Sequence, residues 1–390
     1  MKEMLSISGY LAVKEIWRNR GRFLLVSMVI ALITLLVLFI AALGEGLGNG
    51  NREYLSKLDA QLIVYQAKSD FLIQGSRLDR DRIAAVRRVE GVADAGMLAT
   101  ANAAIILPGD LKPLKVALLG IEPGRPGEPQ VVKGRQLGTD LAKEAIIDRN
   151  TALRSKLAVG DMLTIRVTQG TEDEFYKLRV VGISDGQQYG LQPSIFVPFN
   201  TWDRVRPKSE AEINSTNLVG NVILVKLDNP TQVEEVSQKL TAQVDKIETA
   251  TLNTAIQALP GYSAQQSTLN TQGSFTLFIG ILVIGGFFQI QILQKIAQIG
   301  VLKAIGTTNA VVAASSIIQI IITTAIGVAI GGLLTFLFSL TFPPTIPIVF
   351  NGTTSALAIV ALLLIGPLGG LVSIRYAVRI EPLKALGLSS

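Results

Sequence analysis

Four long stretches without a charged side chain constrain this chain more than anything else in it: residues 23–43, 274–294, 310–338 and 355–374. Each is 20 residues or longer. As helices rising ~1.5 Å per residue, all four are long enough to cross a ~30 Å hydrocarbon layer. Inside a bilayer no water satisfies the backbone, so each stretch has to be a helix that bonds to itself. The first, near the N-terminus, could also be read as a cleaved signal peptide. Signal h-regions run only ~7–15 residues, however, and Ala41 and Ala42 make a poor cleavage site, so it reads as a span. The second span ends in Gln289, Gln291 and Gln294. The third is longer than a bilayer needs and is expected to tilt or project. Gly366-Pro367 predicts a kink or local unwinding in the fourth. Gly327 and Gly331, and Gly366 and Gly370, are spaced to let helices approach closely, although glycine is common in membrane helices anyway.

Charge gives these spans a direction. Residues 50–270 hold 26 basic and 26 acidic side chains, so the net charge of +6 arises elsewhere. Lys2, Lys14, Arg18, Arg20 and Arg22 precede the first span, Lys295 and Lys303 lie between the second and third, and Arg375, Arg379 and Lys384 follow the fourth. The positive-inside rule places all three segments in the cytoplasm. The basic balance is therefore a topology signal, and nucleic acid is not an expected partner.

The expected fold is an integral membrane α-helical protein with four transmembrane helices. A large α+β extracytoplasmic domain is inserted between helices 1 and 2. The segments are a cytoplasmic amphipathic start (1–22), a first span (23–46), the outer domain (47–270) and a second span (271–294). A cytoplasmic coupling helix (295–308), a third span (309–338), an outer loop (339–353), a fourth span (354–375) and a cytoplasmic tail (376–390) complete the chain.

Composition removes several chemistries. With no cysteine there is no disulfide framework, and with no histidine there is no Ser-His-Asp triad and no histidine metal site. No Gly-Lys dipeptide occurs, so there is no Walker A loop, and ATP would have to be bound by a partner. No catalytic or metal-binding set is expected, and no cofactor bound by this chain. A membrane-anchored enzyme and an ion-coupled transporter both fit poorly. The span cores 23–43, 274–294, 310–338 and 355–374 contain no Asp, Glu, Lys or Arg, and ion pathways need such groups.

In the outer domain, residues 61–65 and Val222–Leu227 read as strands. Residues 79–89 form an amphipathic helix through Ile83, Val86 and Val89, and a second helix runs through Val233, Val236 and Leu240. A strand–helix pair near each end predicts one layered unit interrupted by an insertion at about 125–205. That insertion contains short strands at 145–147, 162–167, 178–183 and 195–197, with turns at Val159-Gly160-Asp161 and Pro198-Phe199-Asn200. Glu172-Asp173-Glu174 lacks the spacing of a calcium loop and reads as a solvated hairpin tip. Asn214-Ser215-Thr216 matches a glycosylation sequon, a pattern common by chance.

The loop after the second span carries the most specific motif, Gln-Lys-Ile-Ala-Gln-Ile-Gly-Val-Leu-Lys-Ala-Ile-Gly at 294–306. As a helix it has an apolar stripe of Ile296, Ile299, Leu302/Lys303 and Ile305. By periodicity alone this could be a docking helix or a helix resting on headgroups. The string resembles the permease subunits of MacB/FtsX-type ABC transporters, as does Arg379-Ile380-Glu381-Pro382-Leu383-Lys384-Ala385-Leu386 after span four. The resemblance covers the whole chain. It implies that Lys295, Ile296, Gln298, Ile299, Gly300, Leu302, Lys303 and Gly306 couple to a separate cytoplasmic ABC ATPase. It also implies a homodimer in the bacterial plasma membrane, multi-pass with both termini cytoplasmic, driven by mechanotransmission and open to a membrane-fusion or other extracytoplasmic partner.

Within that family the chain looks most like the haem-exporting permeases of Gram-positive bacteria. The matching stretches are Leu-Ala-Val-Lys-Glu-Ile at 11–16, Gly46-Leu47-Gly48 with Asn51, Gly-Tyr-Ser-Ala-Gln-Gln at 261–266, and residues 343–347. The likeness implies a haem region where the outer domain meets the membrane, with Tyr189 and Tyr262 at the matching positions. Tyrosinate can ligate haem, but tyrosine equally suits a membrane interface with one end wet and one apolar. Glu45, just outside span one, could take a substrate cation or a metal, or face water. Met28 could be a thioether ligand or a packing contact. The alternative within the family is an FtsX-like relay that activates an extracytoplasmic partner without transport.

Overall fold

The computed structural model describes residues 2–107, 109, 112–213, 218–341 and 348–379. The glycosylation sequon at Asn214, the 343–347 stretch and the tail beyond Arg379 lie outside the described residues. The chain forms two units, one of Met1–Gly46 with Gln266–Ser390 and one of Leu47–Gln265.

Helix α1 (Lys2–Arg18) turns at Asn19 into α2 (Arg20–Ser56). Then come β1 (Leu62–Gln66), β2 (Leu78–Asp79), α3 (Arg80–Val86), β3 (Val92–Ile105) and β4 (Leu114–Ile121). The middle contains β5 (Val131–Gly134), β6 (Glu144–Asp148), α4 (Arg149–Ser155), β7 (Met162–Gln169), β8 (Glu172–Ser184), β9 (Ser194–Pro198), α5 (Phe199–Val205) and α6 (Glu210–Ile213). The domain closes with β10 (Val219–Gly220), β11 (Val222–Leu227), α7 (Val233–Gln243), β12 (Ile247–Thr251) and α8 (Leu252–Gln257). Last come α9 (Tyr262–Gln294), α10 (Ile296–Ala304), α11 (Asn309–Ser339) and α12 (Gly352–Val378).

Helices α2, α9, α11 and α12 are long and apolar enough to cross a membrane. Their shared core gathers Phe23, Ile30, Ile284, Phe288, Ile320 and Ile365. Large apolar side chains such as Leu24, Leu32, Phe275, Leu282 and Leu364 point outward, as they must toward lipid. Small residues set the crossings. A methyl group on Gly331 would lie 2.5 Å from the Ala31 carbonyl oxygen of α2, and one on Gly370 would lie 2.3 Å from Ile320 of α11. The sequence did not single out Gly369, where a methyl group would meet the Ile281 carbonyl oxygen of α9 at 2.7 Å. Helix α12 runs unbroken through Pro367, so the expected local unwinding is absent. Close packing at Gly366, Gly369 and Gly370 supports that turn from both sides.

The other unit is built on a ten-stranded mixed sheet ordered β12-β1-β11-β3-β4-β9-β6-β8-β5, with β7 pairing to β3 and β8. The two strong strands pair directly, Leu62 opposite Val225. Strand side chains alternate between faces. Leu62 and Val64 join a core with Ile83, Val86, Val236 and Leu240, while Ile63 and Tyr65 join another with Tyr54, Leu55 and Ala255. The strands after β4 extend this same sheet through the parallel β4–β9 pair. Trp202 anchors α5 over β4, its indole N–H donating to the Leu118 carbonyl at 3.1 Å. Gly120 leaves the room, since a methyl group there would meet the indole ring at 2.4 Å. Pro198 ends β9 and is the N-cap of α5, which starts at Phe199 where a turn was expected. Proline lacks the N–H that a helix start leaves unbonded, so it suits that position. The acidic Glu172-Asp173-Glu174 run is exposed on the β7–β8 hairpin.

Candidate functional site: the short helix between spans two and three

Helix α9 stops at Gln294, Lys295 leaves the helical conformation, and α10 follows with only nine residues. Its end explains the Ala-Ile-Gly of the motif. The Thr307 N–H donates to the Leu302 carbonyl and the Gly306 N–H to the Lys303 carbonyl, both at 3.0 Å, which is the Schellman pattern. Gly306 carries φ +101°, a conformation that glycine adopts without strain.

One side of α10 is held inside its own chain. Ile299 is buried with Ile292, Val312 and Ala377, and Gly300 is buried beside it. The Lys303 ammonium donates to the Val378 carbonyl at 2.7 Å, placing a cation at the C-terminus of α12 where the helix dipole favours one. Lys295 forms an ion pair with Glu15 of α1 and lies 5.6 Å from the centre of the Phe23 ring. Glu15 also accepts from the Gln319 side chain at 2.7 Å, so it joins α1 to α10 and α11.

The other side is open. Gln298, Val301, Leu302, Ile305 and Gly306 are exposed, Ile305 at 79% of its surface, and Ile296 is half-buried. Of the eight residues the motif suggested for coupling, Lys295, Ile299, Gly300 and Lys303 thus serve internal packing. Val301 and Ile305 enter the exposed face instead. The sequence reading missed Glu15, whose partners are far away in the chain.

Of the four suggested ligands, Tyr189 and Tyr262 lie in the Leu47–Gln265 unit and Glu45 and Met28 in the other. Tyr189 is 7% exposed, packs edge-on against Tyr54 with ring centres 6.3 Å apart, and borders a polar pocket of about 210 Å³ with Gln74, Thr100, Asn102 and Gln192. Burial pushes its phenol up to about 12. The pocket falls below the ~300–1,000 Å³ usual for ligand sites, too small to enclose a porphyrin in this arrangement. Tyr262 is the half-buried first residue of α9. Glu45, on α2, accepts from the Asn351 side chain at 3.4 Å, and Asn351 caps α12. Met28 is 52% exposed on the outer surface of α2. Among the described residues no group of three or more carboxylates is placed to hold a metal.

The α2 and α9 helices are tied twice. The Arg22 side chain donates to Gln294 at 2.8 Å at one end, and Asn51 donates to Gln265 at 3.3 Å at the other.

Two family models account for most of the chain. One described as a MacB-like periplasmic core domain matches residues 23–243, and one described as an FtsX-like permease C-terminal matches residues 272–382. A Staphylococcus epidermidis protein named "Putative hemin transport system permease protein HrtB" is 25% identical over 392 aligned residues, covering 97% of this chain and 99% of that one. An uncharacterized ABC transporter permease of Mycobacterium tuberculosis is 23% identical, with the same coverage of both chains. The periplasmic region of MacB from Actinobacillus actinomycetemcomitans superposes at a TM-score of 0.36 and 12% identity, covering 54% of this chain and 94% of that one. The chain is a multi-pass membrane protein belonging to the MacB-like, FtsX-like family of ABC transporter permeases.

Proposed function

We propose that this permease is the membrane half of an ABC exporter, driven by a separate cytoplasmic ATPase that docks on the exposed face of α10. The single observation that carries this reading is the division of α10 into two sides. Ile299 and Lys303 fix it to the bundle, while Val301, Leu302 and Ile305 stand exposed on a helix too short to span anything. A rigid base with an exposed apolar tip is what transmission of a push requires.

The push then travels along α2 and α9. These are 37 and 33 residues long, about 55 and 50 Å at ~1.5 Å per residue, well beyond the ~20 residues a bilayer takes. Cross-ties at Arg22–Gln294 and Asn51–Gln265 make them a paired lever. ATP stays with the ATPase, and this chain binds no cofactor of its own. The charge balance puts both termini and α10 in the cytoplasm and the Leu47–Gln265 unit outside, in a bacterial plasma membrane. Two copies form the working permease, matching the two ATPase subunits that ATP joins.

The cargo is haem or another hydrophobic or amphiphilic compound, a reading supported by the name of the staphylococcal relative. The test is reconstitution of the chain with its ATPase in proteoliposomes loaded with hemin. ATP-dependent movement of hemin across the membrane is the expected result. ATP hydrolysis with no movement of hemin would refute haem export and favour the relay.

A further inference from the structure

A cleft of about 390 Å³ opens between α1, the last turns of α9, α10 and the start of α11. Gln298 and Leu302, on the face of α10 proposed to meet the ATPase, are among its lining residues. Lys14, Arg18 and Lys295 line it against a single acid, Glu15, an excess of two positive charges. Lys295 is engaged by Glu15 and Lys14 donates to the Tyr10 hydroxyl at 3.2 Å, while both Lys14 and Arg18 remain exposed. Deeper in, the lining turns apolar at Ile292 and Ile320.

Buried polar side chains interrupt that apolar floor at Gln291, Ser315 and Gln319. Gln291 is only 5% exposed, and its side-chain oxygen has no hydrogen-bond partner among the described residues. Burying an amide oxygen without a partner is costly, so the position favours a ligand that brings a hydroxyl.

The outer surface of α1 says what surrounds the cleft. Tyr10, Val13 and Trp17 form one exposed stripe at 64%, 56% and 76%. Tyrosine and tryptophan beside lysine and arginine, on a helix adjoining a membrane span, belong at the level of lipid headgroups. That places Lys14 and Arg18 at phosphate height.

We propose that this cleft binds the headgroup of an anionic phospholipid. Lys14 and Arg18 hold the phosphate, Gln291 accepts from a headgroup hydroxyl, and the first methylenes of the acyl chains lie against Ile320. The volume suits a headgroup and the start of its chains, within the ~300–1,000 Å³ of small-molecule sites. The proposal rests on the cytoplasmic placement of α1 given above, since the cytoplasmic leaflet is the anionic one.

The purified full-length chain in neutral detergent is titrated with phosphatidylglycerol, with phosphatidylcholine of the same chain length, and with glycerol 3-phosphate, and bound species are counted by native mass spectrometry. Phosphatidylglycerol should bind at least tenfold more tightly than phosphatidylcholine, with glycerol 3-phosphate not binding at the same concentrations. Removing both cations in Lys14→Gln/Arg18→Gln should weaken phosphatidylglycerol about 25-fold, roughly fivefold per cation, and leave phosphatidylcholine unchanged. Both side chains are exposed, so the variant should fold, and an unchanged thermal midpoint confirms it. A phosphatidylglycerol preference that survives the double substitution overturns the site, as does equal binding of the two lipids. Tight binding of glycerol 3-phosphate overturns the lipid and leaves a free-anion pocket. No ATPase is present, so failure here leaves docking on α10 untouched, and failure of that docking leaves this result standing.

Discussion

Exchanging Ile305 for Ser and, separately, Ile299 for Ala separates docking from folding on α10 and its C-cap. Burying an isoleucine fully is worth ~1.5–3 kcal/mol. Ile305 still has 79% of its surface to bury, so docking can gain ~1.2–2.4 kcal/mol from it. Ile305→Ser should therefore weaken ATPase binding roughly 10- to 50-fold and leave the thermal midpoint of the permease alone. Ile299 is 8% exposed and packed with Ile292, Val312 and Ala377, so it has almost nothing left to give a partner. Ile299→Ala should instead cost the permease ~2–5 kcal/mol of its own stability through the cavity it leaves. The assay is biolayer interferometry of the detergent-purified permease against its ATPase, paired with thermal unfolding. The reasoning fails if Ile305→Ser binds like the parent while Ile299→Ala loses the ATPase at an unchanged midpoint.

Three further outcomes follow from the packing and the charges. Gly369→Val should separate α9 from α12, costing ~1–3 kcal/mol by overpacking against the Ile281 carbonyl and lowering the unfolding midpoint in detergent. Glu15→Gln removes the partner of a largely buried Lys295 and should release α1 from α10, seen as faster amide hydrogen exchange in residues 2–18; unchanged exchange would deny Glu15 that role. Asp148 caps α4 from a buried position, and burial raises its pKa. A carboxyl whose folded pKa is raised binds its proton more readily when folded, so its contribution declines as pH rises through that pKa. Asp148→Asn keeps the cap acceptor without the charge. Its stability relative to the parent should therefore be best at pH 7 and decline in acid; a pH-independent difference would contradict the assignment.

The four spans were legible because a bilayer demands an uninterrupted apolar run, a signal carried locally in the sequence. Strands β1 and β11 were legible through their β-branched residues. Strands β3 and β4 were not. Residues 92–105 are rich in alanine with a glycine, poor strand formers by composition. Pairing with β11 on one side and β4 on the other holds β3 in the sheet regardless. The coupling motif showed where a helix would be, and less well which side of it would be free. Ile299 and Ile305 lie six residues apart, about 120° around the helix at 3.6 residues per turn, so one reaches the bundle and the other does not. Lys295 and Lys303 looked available because their partners, Glu15 and the Val378 carbonyl, are distant in sequence. Tyr189 looked like an interface aromatic because nothing local announces the wall formed by Tyr54 and Phe196.

The central claim is that the exposed face of α10 meets the ATPase, and the absence of cysteine from the chain makes that directly measurable. Single variants Leu302→Cys, Ile305→Cys and Ile299→Cys are each mixed with the ATPase and a short amine- and thiol-reactive crosslinker, with and without ATP. The account predicts a permease–ATPase product from positions 302 and 305, its yield altered by ATP, and none from buried 299. An intact complex that yields no product from either 302 or 305 would contradict it.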